Sequence, residues 1–312
     1  MPASTLARLQ RITPQQLRAF EATARLGSVT QAAQALHVSQ PTISVQLREL
    51  SQHVGERLFE PIGRQIRLTQ AGEELYRTVR ELTGCWQRFE SRMAEINGLI
   101  SGRLRLAAVT TAEYFVPDLL GNFAQAHQGV EIELSIENRD RIVQRLTQGL
   151  DDLAVMMMPP RELALERLEF LVNPLVIIAS AQHSKRNQPI ELADLADERW
   201  LMRESGSGTR MAAEQHFATL GFAPKVAMSL GSNEAIKHAV AAGLGVAVLS
   251  ELAIHPPLWS NHEQIATPLP LTVLQVNGFP IMRRWSVVWR KDQPLSVAAR
   301  YFLQYLNQSK HD

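Results

Sequence analysis

From Gln70 to Asn97 the chain carries no proline, and Leu75, Val79, Leu82, Trp86, Phe89, Met93 and Ile96 recur at spacings of 4, 3, 4, 3, 4 and 3. That is an a/d heptad, with Glu73, Glu74, Arg77, Arg80, Glu81, Arg88, Glu90, Arg92 and Glu95 on the other faces. At 1.5 Å per residue such a helix runs roughly 40 Å. A stripe so narrow on a helix so long needs a partner along its length, either its own chain or a second copy. Dimerisation through those seven apolar residues is the expectation, and Gly84, which costs about 1 kcal/mol relative to Ala, fits a close approach.

The helix separates two compositionally different parts. Over the whole chain 32 Lys+Arg balance 31 Asp+Glu, a net charge of +1 that by itself argues for no acidic partner. Residues 1–70, however, hold eight Arg, four Glu and neither Lys nor Asp, for +4, whereas the part after residue 100 is at −2. No Lys precedes Lys185, so the basic groups of the first third are planar guanidinium forks suited to phosphate and groove contacts. With 45% hydrophobic residues the chain is not a disordered tail. Its one cysteine, Cys85, fits a reducing compartment. Neither Met1–Arg11 nor the longest apolar stretch, Ala239–Ile254, reads as a signal or a membrane span, so the expected location is the cytoplasm, with no membrane partner.

Before the heptad, Thr13-Pro14-Gln15-Gln16 has the grammar of a capping box, so a helix starts at Pro14, buries Leu17, Phe20 and Ala24, and ends at Gly27. A second short helix runs from Thr30 to Leu36, with Ala32 and Ala33 permitting close approach. His37-Val38-Ser39 makes a turn, and a third helix begins at Ser39-Gln40-Pro41 with Ile43, Leu47, Leu50 and Val54 on its apolar face. Three short helices with a tight turn before the third make a helix-turn-helix. The other face of the third helix carries compact donors and acceptors, Gln40, Thr42, Ser44, Gln46 and Arg48, able to read base edges. Arg57-Leu58-Phe59 and Arg64–Leu68 read as two strands turning at Pro61-Ile62-Gly63, a wing with Arg64 at its tip for a narrow minor groove. Thr30, Ser39 and Pro41 complete the candidate DNA-binding set. A structural three-helix unit with a merely solvated polar face is the alternative.

Ala32-Ala33 to Leu36, Val38 through Ser44, Leu47-Arg48-Glu49-Leu50, Gly55-Glu56-Arg57-Leu58-Phe59, Arg64 and Leu68-Thr69-Gln70-Ala71-Gly72 closely resemble the N-terminal signature of LysR-type transcriptional regulators. The pattern departs at Pro61, where the family commonly has an Arg able to touch phosphate. The resemblance implies a cytoplasmic homodimer, or dimer of dimers, on an interrupted palindrome of double-stranded promoter DNA, with RNA polymerase as a further partner.

Beyond a hinge at Asn97-Gly98 to Ser101-Gly102, strands and helices alternate: Arg103–Val109, Phe115–His127, Glu131–Glu137, Arg139–Leu150 and Asp152–Met158, then Leu175–Ser180, Trp200–Met202, Thr209–Leu220, Lys225–Leu230, Asn233–Ala242 and Val246–Leu249. That order predicts βαβ units with a parallel sheet. Strand Trp285–Trp289 and helix Leu295–Leu306 are expected to return to the first lobe. Two α/β lobes joined by crossings near Leu163–Leu171 and Ile265–Leu271 would resemble a type 2 periplasmic binding protein, in agreement with a LysR effector domain. The expected division is 1–69 winged helix-turn-helix, 70–98 linker helix, 99–163 with 268–312 effector subdomain I, and 164–267 subdomain II, α/β overall.

Strand-to-helix junctions supply the candidate effector residues: Thr110 and Thr111; Asn138 and Arg139; Arg203, Ser205, Ser207, Thr209 and Arg210; Ser232 and Asn233. Small residues at helix N-termini bind anions, although simple capping explains each junction taken alone. The segment around Gly206 and Gly208, flanked by Arg203 and Arg210, lacks the third glycine of a dinucleotide fingerprint and the lysine of a P-loop. Arg203–Arg210, Ser232–Lys237, Ala241–Gly245 and Phe279–Trp285 resemble the branch that regulates carbon-fixation (RuBisCO, Calvin-cycle) operons. That resemblance implies a phosphorylated metabolite or a nicotinamide nucleotide as effector, and no cofactor. A LysR-type regulator of another operon with a carboxylate or aromatic effector, or a plain solute-binding protein, are the alternatives.

Catalytic and metal constellations are missing from the sequence. The nine histidines form no H-E-x-x-H pair, no Gly-x-Ser-x-Gly occurs, and Cys85 lies on the heptad helix, so the expectation is a regulator and not an enzyme.

Overall fold

A computed structural model describes residues 10–62, 65–96, 100–255 and 269–308. The chain divides after Phe89 into two compact units.

In the first unit, α1 (Pro14–Leu26) starts with the expected capping box: the Thr13 hydroxyl accepts from Gln16 N at 3.2 Å, and Gln16 Oε1 accepts from Thr13 N at 3.0 Å. It stops at Gly27, whose φ of 63° suits a residue without Cβ. α2 (Val29–Ala35) begins earlier than the sequence suggests. Its N-cap is Ser28, whose hydroxyl accepts from Gln31 N, so Thr30 lies in the first turn. α3 (Gln40–Val54) is capped by Ser39 and ends at Gly55. Ala19, Ala33 and Ile43 pack together where the helices cross, and Phe20, Leu50, Leu58 and Val79 form the neighbouring core. Each fully buried large side chain here contributes about 1.5–3 kcal/mol.

β1 (Phe59–Ile62) and β2 (Gln65–Leu68) form the antiparallel wing, with Phe59 opposite Leu68 and Ile62 opposite Gln65. Pro61 and Ile62, expected in the turn, are therefore strand residues. Pro61 pairs opposite Ile66 in a two-stranded ribbon, where a missing N–H is tolerated at an edge. The wing-tip assignment of Arg64 falls outside the described residues.

α4 (Gln70–Ile96) is the heptad helix. Its stripe has two environments, which corrects the expectation of seven dimerisation residues. Val79 is 4% exposed in the core with Phe20, Leu50 and Leu58, and Leu75 packs on that same core, so their partner is their own chain. From Leu82 onward the stripe is exposed: Leu82, Trp86, Phe89, Met93 and Ile96.

The second unit is built on a mixed sheet. β3 (Ser101–Val109), β4 (Gly129–Glu137) and β5 (Leu153–Met156) are parallel, linked by α5 (Val116–Ala126) and α6 (Arg139–Thr147). β6 (Leu165–Ser180) and β13 (Ile281–Arg290) run antiparallel to one another through the sheet, and β13 also pairs with β5. β10 (Ala247–Ser250) and β11 (Leu271–Val273) pair with the far end of β6. The second lobe adds β7 (Pro189–Ile190) paired with β12 (Gln275–Val276), the parallel pair β8 (Trp200–Arg203) and β9 (Val226–Leu230), and helices α7 (Gly208–Thr219) and α8 (Asn233–Ala241). α9 (Val297–Gln308) packs beside β3.

The crossings differ from the sequence reading. Residues 165–171 are strand and not linker, because β6 passes unbroken between the lobes: its start pairs with Trp285–Arg290 and its end with Leu249 and Ala247. Of the expected return crossing at 265–271, residues 265–268 lie outside the described residues; Leu271–Val273 pairs with β6 and Gln275–Val276 with β7, and β13 then runs back along β6. Charged residues such as Arg167 and Glu169 disguised β6 as a linker; they occupy its solvent face. Phe115 against Trp285 (5.2 Å between ring centroids) and Trp200 against Phe217 (5.1 Å) anchor the core that runs through both lobes.

Candidate functional site

Two surfaces carry the candidate residues, one in each unit. On α3, the cap places the Ser39 hydroxyl 2.7 Å from that of Thr42. Gln40, Pro41, Thr42, Ser44 and Arg48 are exposed and Gln46 is half-buried, while Thr30 is exposed on α2. The carboxylate of Glu49 is drawn to the α1 side by Gln16 Nε2 at 3.1 Å, which keeps an acidic group off the polar face. Between α3 and the wing runs a groove of about 280 Å³ with Arg48 and Arg57 in its lining. The sequence reading passed over Val45. It is 39% exposed between Thr42 and Arg48, where an apolar side chain suits a thymine methyl.

In the second unit, the carboxyl ends of β3, β4, β5 and β8 meet at one crevice, the position where open α/β sheets hold ligands. Val109, Thr110, Thr111, Asn138, Arg139, Met157, Arg203, Glu204, Ser207, Gly208, Thr209 and Trp285 line it. The cavity holds only about 10 Å³, roughly one water, because Arg203 fills it. Arg203 as a whole is 2% exposed. Its Nη2 donates to the Thr110 hydroxyl at 2.9 Å, its Nη1 to the Thr111 hydroxyl at 3.5 Å and to Asn233 Oδ1, and its Nε to Glu204 at 2.8 Å. Asn233 Nδ2 in turn donates to Thr111 at 3.2 Å. Arg203 thus reaches from β8 of one lobe to the end of β3 in the other.

Two helix N-termini flank it. Asn138 caps α6 by accepting from Arg141 N at 3.0 Å, and Ser207 caps α7 by accepting from Arg210 N at 3.5 Å. Their first-turn N–H groups have no intrahelical acceptors, so each end presents partial positive charge to the crevice. Arg139 adds a second guanidinium, held by its Nε to the Met158 carbonyl at 3.1 Å. The lobes touch at Gly206, where a Cβ would stand 2.4 Å from Asp140 Oδ2. Buried donors between two lobes, flanked by helix N-termini, give the crevice a positive character.

Residues 14–73 match the bacterial regulatory helix-turn-helix proteins of the lysR family, and residues 97–310 match the LysR substrate binding domain. The chain belongs to the LysR family. It is similar to the HTH-type transcriptional activator CmpR of Synechocystis, 42% identical over 96% of each chain. The RuBisCO operon transcriptional regulator of Allochromatium vinosum is 39% identical over 95% of each. Among solved structures, the regulatory domain of Synechocystis CcmR in complex with 2-PG is 40% identical, with a TM-score of 0.62, over 67% of this chain and 98% of that one. Within the LysR family the chain therefore falls in the carbon-fixation branch, among transcriptional regulators and not enzymes.

Of the effector residues expected in this LysR chain, Thr110, Thr111, Asn138, Arg139, Arg203, Ser207 and Thr209 come together in the crevice, and Asn233 joins through Arg203. Three do not line it. Ser205 is exposed, and Ser232 is exposed and caps α8. Arg210 turns to Glu214 (2.7 Å), Ser229 (3.3 Å) and the Arg203 carbonyl (3.0 Å), where it braces β8. Glu204, Met157 and Trp285 were missed, and only the tract resemblance around Arg203 and Trp285 pointed toward two of them.

Beside the crevice a second polar cluster joins the lobes. Tyr114 donates to Glu234 at 2.6 Å, Lys237 lies 2.7 Å from the same carboxylate, and its ammonium stands 5.0 Å from the Tyr114 ring centre. Burial, then the bond to Glu234, pushes the Tyr114 hydroxyl far above its ordinary range. Burial alone would raise Glu234, but Lys237 and Tyr114 hold it below the usual carboxylate value. Glu113 is raised by burial and by Glu234, against the pull of Arg203 and Lys237. Among the described residues no group of His, Cys, Asp and Glu could hold a metal, and no helix is long and apolar enough to cross a membrane.

Proposed function

We propose that this regulator binds promoter DNA of a carbon-fixation operon and responds to a small phosphorylated anion held in the crevice around Arg203. The observation that carries the effector half is the buried guanidinium itself, set between two helix N-termini and bonded across both lobes. A phosphate group matches that array in charge and geometry. The 2-PG (2-phosphoglycolate) bound by the CcmR regulatory domain supports the same chemistry.

The DNA half rests on α3, whose exposed Gln40, Thr42, Ser44 and Arg48 enter a major groove while the wing follows the backbone. Leu82, Trp86, Phe89, Met93 and Ile96 on α4 form the dimer seam, and a homodimer or dimer of dimers spans an interrupted palindrome. Such a protein works in the cytoplasm, where ligand closure of the lobes changes what RNA polymerase meets at the promoter. Isothermal titration of the full chain with 2-PG, sugar phosphates and nicotinamide nucleotides tests the effector assignment. Saturable one-site binding of a phosphorylated compound is expected, and binding of only unphosphorylated carboxylates or aromatics would overturn it.

A further inference from the structure

A guanidinium has five N–H donors, and in Arg203 the protein supplies an acceptor for each. Thr110 and Glu204 take Nη2, Thr111 and Asn233 take Nη1, and Glu204 takes Nε. Three of these five contacts would suit any buried arginine, but the two from Glu204 are different in kind. They form a bidentate carboxylate clamp, at 2.8 and 3.0 Å, along one edge of the fork. That edge is where an anionic ligand would seat. Thr110, Thr111 and Asn233 are fixed by the ends of their strands and helices, whereas Glu204 heads the segment through exposed Ser205 to α7, and its side chain is 23% exposed against 1% for Arg203.

We infer that Glu204 is the site's own counter-anion, occupying Arg203 until an effector displaces it, and that it thereby sets the charge an effector must carry. The inference rests on reading the crevice as the effector site. A monocarboxylate that evicts Glu204 exchanges one carboxylate–guanidinium pair for another and gains no charge. A phosphate monoester brings close to two negative charges and three acceptor oxygens, enough to engage Arg203, Arg139 and a helix end together. Glu204, once released, reaches solvent through its exposed side. Discrimination between phosphorylated and unphosphorylated forms of one metabolite then comes from a repulsive element already in the protein, not only from the ligand's own contacts.

The test is calorimetric titration of the full-length wild type, Glu204→Gln and Arg203→Lys with 2-PG and with glycolate, its unphosphorylated counterpart. Wild type is expected to bind 2-PG and give no measurable heat with glycolate. Glu204→Gln, which keeps a hydrogen-bonding side chain of the same length, should bind 2-PG about tenfold more tightly and acquire binding of glycolate. Glu204→Asp, with the charge kept and the reach shortened, should fall between them, and it serves if the Gln variant does not fold. A purely structural Glu204 would give the opposite sign, weaker 2-PG binding in both variants. If wild type binds 2-PG and neither variant tightens it or admits glycolate, the counter-anion role is overturned while the site stands. If wild type binds no phosphorylated ligand, the site reading and the inference fall together.

Discussion

The guanidinium of Arg203 donates to the hydroxyl of Thr110 at 2.9 Å, so a side chain at the end of β8 in one lobe is bonded to the turn that follows β3 in the other. Arg203→Lys keeps a charge but loses the planar fork. It leaves the Thr110 hydroxyl and Asn233 Oδ1 short of their donor, so a lower melting temperature is expected together with at least about tenfold weaker 2-PG binding. Calorimetry and a thermal melt check both. Unchanged 2-PG affinity would separate Arg203 from the ligand.

Gly206 has a φ of +84°, and a Cβ there would stand 2.4 Å from Asp140 Oδ2. Gly206→Ala should therefore destabilise by about 1–3 kcal/mol through backbone strain and, in addition, push Asp140 aside. Asp140→Ala in the same chain should restore the steric part and leave the strain. Denaturant melts of the three variants separate the terms; no rescue by Asp140→Ala would show that the lobes do not meet there in solution.

Glu113 holds its proton more tightly in the folded chain than an ordinary carboxyl does, because of burial and the charge of Glu234. A carboxyl with a raised folded pKa contributes stability below its unfolded pKa, near 4.3, and loses that contribution as pH rises through the folded value. At neutral pH the ionised Glu113 is unfavourable. Glu113→Gln should melt higher than wild type at pH 7, with the advantage disappearing toward pH 4. Equal melting temperatures at pH 7 would contradict this.

The exposed stripe on α4 gives a different kind of prediction. Trp86 and Phe89 stand 5.4 Å apart, both about half or more exposed, within five large apolar side chains. Replacing both by Asp should convert dimers or tetramers to monomers in sedimentation velocity. Val79→Ala, in the chain's own core, should lower stability without changing the oligomer. Dimers that survive the double substitution place the interface elsewhere.

What was legible in the sequence was local. Thr13 with Gln16, and Ser39 before Pro41, announce helix starts because a cap needs only its own first turn. The heptad announced α4 but not its partners, since Val79 and Leu82 look alike in sequence and only the fold brings Phe20, Leu50 and Leu58 against the first. In sequence β6 looks like a linker followed by a short strand, because its solvent face is charged along residues 166–169. In the crevice, small residues and arginines beside glycines marked the junctions correctly. Which arginine faces inward was not marked, as Arg203 is buried while Arg210, seven residues on, braces the outside of β8. Glu204 lies inside the tract that the sequence singles out, but nothing in its local sequence marks it as a site residue, because its role depends on the position of the neighbouring side chain.

Control of DNA binding by an anion at Arg203 is tested most directly by footprinting on the DNA upstream of the chain's own coding sequence while 2-PG is titrated. The predicted result is that wild type protects a half-site pair without ligand and that 2-PG shifts the protection saturably, whereas Arg203→Lys protects the same DNA and does not respond. A footprint on wild type that ignores every phosphorylated ligand, or one that responds equally in Arg203→Lys, would contradict the claim.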